Sequence, residues 1–218
     1  MRQGSLGLIE TLRVRDERIP FMERHLARLE HAIAQLQLSR PSRDVRALVT
    51  PFQAMGDAVV RAEVCDGRVT VTVRELPSLA APAVITASQP HMPYPQKTTL
   101  RDCFDEAADE ALIAEADDAL LVTHEDFVAE GTVWSVFWWE QDGLYTPALD
   151  LGILPGIGRA RVLELTPVTE RHAPRQALVG KSVFLVNSAR GVVTFASLDG
   201  IAVPEDERTV GLASRFWL

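Results

Sequence analysis

The sequence is short of cysteine, of net positive charge and of long apolar runs, and each shortage excludes a class of protein. Only Cys65 and Cys103 occur, far apart and outside any CxxC or Cys/His ligand spacing, so neither a disulfide framework nor a zinc site is expected. The histidines His25, His31, His91, His124 and His172 form no HExxH or similar cluster, and no metal is assigned. A formal charge of -8 supplies no basic face for tracking a phosphate backbone, which argues against a nucleic-acid partner. A small anion remains compatible, because a few arginines and backbone N–H groups suffice to hold one. No stretch approaches the roughly 18 apolar residues that span a bilayer. The opening MRQGSLGLIE also lacks the apolar core of a secretory leader, so a cytoplasmic protein without a membrane partner is expected.

What is present is ordinary globular usage, 47% apolar and 24% charged over 218 residues, enough chain to bury a sizeable core. Leu8, Glu10, Leu12 and Val14 alternate within Leu6 to Arg15, which predicts a strand turning at Asp16 to Arg18. Leu26, Leu29, Ile33 and Leu36 recur at helical spacing and predict a helix over Phe21 to Leu38. A shorter helix to about Phe52 follows, and then two strands between Ala58 and Glu75, turned at Cys65-Asp66-Gly67. Pro77, Pro82, Pro90, Pro93 and Pro95 cluster around one short apolar run, Ala83 to Ala87, and mark a domain junction. Beyond it the pattern predicts a helix from about Thr99 to Glu115, a hairpin over Ala119 to Ala129, and strands near Val133 to Glu140 and Leu144 to Thr146. A Gly/Pro loop over Gly152 to Arg161 runs into a helix, and late strands at Val183 to Val186 and Val192 to Ala196 are broken by Asn187-Ser188. The expected class is α+β, with a small domain over residues 1–90 and a larger strand-rich one over 91–218.

Single residues stay ambiguous when taken alone. Lys97, between a proline-dense loop and a helix, reads either as a solvated surface lysine or as an amine aimed into a cleft. Gly156 and Gly158 in LPGIGRARVLEL suit a simple turn, or a close backbone approach to an anion at a helix start. The spacing GxxxxGK that would make a nucleotide loop of Lys181 is absent. Glu130, beside an apolar tryptophan-containing segment, needs a cation if buried, and a salt bridge or an exposed turn accounts for it equally well. Arg28 looks like a helix arginine at the edge of a buried stripe and His25 like a packed or capping side chain, while Arg101 and Arg190 are two arginines among many able to grip a carboxylate.

In order along the chain, IETLRV, HLARL, QKTTLR, AEGTVWSVFW, LYTP, LPGIGR and VNSARGV resemble the motifs of the class-IV aminotransferase family of pyridoxal-phosphate enzymes. The resemblance runs nearly end to end. Within that family, KTTLR and NSARG are most similar to the aminodeoxychorismate lyase branch. The resemblance implies fold-type IV, a small domain followed by a strand-rich pseudobarrel, a homodimer, and pyridoxal 5'-phosphate carried covalently by Lys97. By motif, Glu130 would meet the pyridine nitrogen, while Arg28, Ile157, Gly158 and Ser188 would hold the phosphate. The implied substrate is an anionic small molecule bearing an amino group, with Arg101 and Arg190 toward its carboxylates. A branched-chain or D-amino-acid aminotransferase is the alternative, and a cofactor-binding protein without turnover a second one. The chain departs from the family pattern at Ser135, where asparagine is usual, and at Gly158, where threonine or serine is frequent.

Overall fold

A computed structural model describes residues 5–79 and 82–218. The chain divides into two compact units, Met1–Ser78 with Gln96–Leu100, and Leu79–Pro95 with Arg101–Leu218.

The first unit is a three-stranded antiparallel sheet, β1 (Gly7–Val14), β2 (Ala58–Cys65) and β3 (Arg68–Arg74), in the order β1-β2-β3. Its helices are α1 (Met22–Gln35) and the short α2 (Val45–Val49), capped by the Asp44 carboxylate on the Arg46 N–H. Period-two alternation sends Leu8, Leu12 and Val14 of β1, with Val60, Ala62 and Val64 of β2, into one core against Leu29, Ala32 and Ile33 of α1. Leu26 and Leu36, the outer members of the expected stripe, pack at its margin. Glu10 occupies the same phase as Leu8 and Leu12 and is 3% exposed, so a carboxylate is carried into the helix-facing layer. Gln96–Leu100 joins this unit through backbone pairing: the Ile9 N–H donates to the Lys97 carbonyl at 2.8 Å and the Thr99 N–H to the Gly7 carbonyl at 2.9 Å.

The second unit holds two five-stranded sheets. One contains β4 (Ala83–Thr86), β5 (Asp118–Val122) and β6 (Val128–Gly131), edged by the two-residue strands β12 (Ser197–Leu198) and β13 (Ile201–Ala202), in the order β13-β12-β4-β5-β6. The other is built from β7 (Ser135–Trp139), β8 (Leu144–Pro147), β9 (Val168–Arg171), β10 (Ser182–Asn187) and β11 (Gly191–Thr194), in the order β11-β10-β7-β8-β9. Val84, Leu120 and Val128 of the first sheet share a core with Val136, Trp138, Val183 and Leu185 of the second. Because β5 is buried on both faces, Ala119 and Leu121 pack the other way, against Phe104, Ala107 and Ala111 of α3 (Asp102–Ile113). That two-sided burial explains why DALLV is continuously apolar after its first residue. The helices α4 (Ile157–Leu165) and α5 (Glu207–Arg215) complete the unit.

The hairpin of β5 and β6, the break between β10 and β11, and the run into α4 fall where the sequence patterns place them. The strands β9, β12 and β13 and the helix α5 have no counterpart in those patterns. Strand β9 reads VTER with exposed or half-buried residues throughout, so it lacks the apolar alternation that betrays a strand; its pairing with β8 alone makes it one.

Candidate functional site

Within the first unit, Arg28 and Lys97 flank a buried ionic cluster. The Arg28 guanidinium donates from Nε to Glu10 Oε1 at 2.9 Å and from Nη2 to Oε2 at 2.6 Å, a two-pronged pair. His25 Nδ1 lies 2.6 Å from Glu10 Oε2. Burial pushes the Glu10 carboxyl up, but the Arg28 charge and the hydrogen bonds from His25 and Arg28 outweigh it and hold the group at about 2. Burial pushes the His25 imidazole below its ordinary range against the pull of Glu10, and the positive charges of Arg28 and Lys97 act in the same direction. A neutral ring facing a carboxylate must carry its proton on Nδ1, which leaves Nε2 a bare acceptor; that atom is buried without a hydrogen-bond partner. The Arg28 side chain keeps 14% exposure, and among the described residues Glu10 is its one hydrogen-bonding partner. Lys97 is half-buried, its backbone fixed beside Ile9.

In the second unit, Glu130 lies near the end of β6 with its side chain 7% exposed. Its Oε1 accepts from the Leu154 N–H at 3.1 Å and lies 2.9 Å from His91 Nε2. Both contacts fall on one oxygen, and among the described residues Oε2 takes no hydrogen bond. Leu154 opens the loop into α4, whose N-cap position, Gly156, has no side chain with which to cap the helix. A Cβ added to Gly158 would stand 2.8 Å from the carbonyl carbon of Asn187 and 2.9 Å from its Cα, so this helix start lies directly against the end of β10. That approach accounts for glycine here in place of the family's hydroxyl residue, and it brings Ile157 and Gly158 up to the turn holding Ser188 and Arg190. The turn is set by Asn187, whose Oδ1 accepts from the N–H groups of Ala189 and Arg190 at 3.0 and 2.7 Å. Ser135 is buried at the head of β7, and its Oγ would lie 2.7 Å from a Cβ placed on Gly156. Arg101, 14% exposed, donates to the Thr132 carbonyl at 2.9 Å and lies over the rings of Tyr94 and Phe104.

Among the sequence candidates, then, Arg28 and Lys97 belong to the first unit and Glu130, Ile157, Gly158, Ser188, Arg101 and Arg190 to the second. Three further residues, Glu10, His25 and His91, enter through the tertiary structure. Glu10 left a trace in the sequence as an acid in phase with Leu8 and Leu12, and His25 as the residue four before Leu29 on the buried stripe. His91 left none, because its partner lies 39 positions away. Among the described residues there is no group of three acidic, histidine or cysteine side chains able to hold a metal ion, and no helix is long and apolar enough to cross a membrane.

The architecture defines the class first. A protein assigned as an amino-acid aminotransferase from Mesorhizobium loti superposes with a TM-score of 0.80 at 27% identity, covering 88% of this chain and 99% of that one. A protein assigned as a branched-chain amino acid aminotransferase from Thermotoga maritima gives 0.84 at 25% identity, covering 97% and 84%. The fold of a protein assigned as a 4-amino-4-deoxychorismate lyase from Legionella pneumophila matches as well, with a TM-score of 0.86 at 24% identity over 96% of this chain and 91% of that one. These are fold-type IV enzymes, and the present chain shares their architecture. The profile described as Amino-transferase class IV matches residues 7–198, and the protein belongs to that family of pyridoxal-phosphate enzymes. Among curated sequences the aminodeoxychorismate lyase of Bacillus subtilis is 29% identical over 90 residues, 38% of this chain and 31% of the relative, so the match spans about a third of that protein's length.

The residues present fit the cofactor. A half-buried lysine and a guanidinium with exposure left beyond its carboxylate pair suit an aldehyde carrying a phosphate. A buried carboxylate with one oxygen lacking a hydrogen bond suits a protonated ring nitrogen, and an uncapped helix start suits the phosphate.

Proposed function

We propose that the protein is a 4-amino-4-deoxychorismate lyase, which releases pyruvate and forms 4-aminobenzoate, and that it works as a homodimer. The observation that carries this reading is the match to the Bacillus subtilis lyase, supported by the KTTLR run at Lys97 and the NSARG run at Ser188. When bound, the pyridoxal group supplies an electron sink for a carbanion beside the substrate nitrogen.

The chain's own residues have separable tasks. Lys97 Nζ would carry the cofactor, and its amine would serve as general base toward the proton on the substrate's amine-bearing carbon. Glu130 offers Oε2 to the ring nitrogen and keeps a proton there. Toward the phosphate, Arg28 would offer a guanidinium already oriented by Glu10; the second unit would offer the backbone N–H groups of Ile157 and Gly158 at the start of α4 and the Ser188 hydroxyl. Arg190 and Arg101 face the substrate carboxylates. Arg101 has less freedom for this, since Thr132, Tyr94 and Phe104 already engage it.

The decisive assay supplies the cofactor-loaded protein with 4-amino-4-deoxychorismate and no keto acid. Pyruvate and 4-aminobenzoate are expected in equal amounts, and Lys97→Ala is expected to remove both the activity and the visible absorption that borohydride bleaches. Turnover that requires a keto-acid acceptor would instead establish the second reading, an aminotransferase for branched-chain or D-amino acids. That reading draws on the likeness to the Mesorhizobium loti and Thermotoga maritima proteins. A coloured, borohydride-sensitive protein that turns over neither substrate class would leave binding without catalysis.

A further inference from the structure

We infer that His91 is the positioning residue for Glu130: it saturates one carboxylate oxygen so that the other is the single acceptor offered to the cofactor's ring nitrogen. This rests on the proposed role of Glu130 and deepens it.

His91 comes from the proline-dense segment before Lys97 and belongs to no helix or strand, yet it is 4% exposed and held from several sides. Its backbone N–H donates to the Val122 carbonyl at 2.6 Å, which ties the segment to the end of β5. Its ring stands edge-on to Phe104, centroids 5.9 Å apart at 79°, so it cannot swing without repacking α3. Nε2 then falls 2.9 Å from Glu130 Oε1, where the Leu154 N–H also arrives at 3.1 Å. A carboxylate can only accept, so the ring nitrogen facing it bears the proton, whichever charge state the imidazole holds. Two fixed donors on Oε1 immobilise the carboxylate and leave Oε2 as the stronger remaining acceptor. A side chain locked by such a partner presents its free atom in one direction, whereas an unlocked glutamate on the same strand would sample several rotamers.

The test is a double-mutant cycle on the cofactor-reconstituted protein, read by the visible absorption maximum and by the cofactor dissociation constant from tryptophan quenching. His91→Phe keeps an aromatic ring against Phe104 but removes the donor. Cofactor binding is expected to weaken roughly tenfold to a hundredfold, the range that loss of one hydrogen bond to a charged group produces. The absorption maximum should move with it. His91→Gln, which returns an N–H donor at similar reach, should restore both readouts, and it also serves if the phenylalanine variant does not fold. In a Glu130→Gln background the His91→Phe change should have no further effect, because the two residues act as one unit. Unchanged spectrum and affinity in a folded His91→Phe protein, or equal losses in both Glu130 backgrounds, would overturn the inference. Glu130→Gln having no effect by itself would instead overturn the role given to Glu130, so the two failures are distinguishable.

Discussion

Each unit buries a carboxylate, and the two meet opposite surroundings. In the first unit Glu10, 3% exposed, faces two nitrogens of Arg28 and one of His25. In the second, Asp118 at the head of β5, 8% exposed, is met by neutral donors: Oδ1 accepts from the N–H groups of Ala119 and Thr132 at 2.7 and 3.0 Å, and Oδ2 from Trp134 Nε1 at 2.8 Å. The outcomes diverge accordingly. A cation overcomes the burial of Glu10 and holds it at about 2, whereas for Asp118 burial prevails over its neutral donors and the group is raised above its ordinary range. Hydrogen-bond count therefore does not decide which way a buried acid shifts; the charge of its partners does. The first arrangement fixes the orientation of the Arg28 guanidinium. The second ties β5 to the β6–β7 connection next to Glu130.

The largest effect that would sharpen this contrast is expected from Glu10→Gln. It leaves Arg28 largely buried without its counter-charge, and urea unfolding should show a loss of about 3–5 kcal/mol, as when one partner of a buried pair is removed. A loss no greater than for a surface glutamate would break the comparison. Asp118→Asn leaves no buried cation behind and costs only mismatched N–H donors, so the same measurement should give about 1–3 kcal/mol.

The pH response should also divide between the units. Glu10 is lower in the folded chain than its ordinary 4.5, so its contribution is complete above that value and is lost as the pH falls toward about 2. His25 is likewise lowered from 6.5; its folded form excludes a proton that the unfolded chain takes up, so its contribution starts to be lost as the pH falls through 6.5. Asp118 is raised from 3.8, so acid relieves a penalty there rather than removing support. Amide exchange corrected for intrinsic rates should therefore show β1 and α1 losing protection before β5 and β7 on acidification from pH 6.5. Earlier loss in β5 would contradict the assignment.

Much of the fold is legible in the chain because its elements carry their own periodicity. The stripe through Leu29 and Ile33 specifies α1, and the alternation of Leu8, Leu12 and Val14 specifies β1, since either pattern makes a buried face only in one backbone conformation. The sequence left Gly156 and Gly158 open between a turn and a backbone approach to an anion; in the fold Gly158 lies against the Asn187 backbone and Gly156 against the Ser135 hydroxyl. The short strands β9, β12 and β13 stayed hidden, because a strand with few inward side chains exists only through its hydrogen-bonded neighbour.

By itself the sequence determined the helices α1 to α4 and the longer strands, and a family resemblance carried by seven short strings. Tertiary structure alone decided that the segment holding Lys97 pairs with β1 while the residues on either side of it belong to the second unit. It alone joined Glu10 to Arg28 and His25, and His91 to Glu130. Periodicity is a property of neighbours along a chain, whereas an ion pair or a shared proton depends on which distant residues the packing brings within about 3 Å.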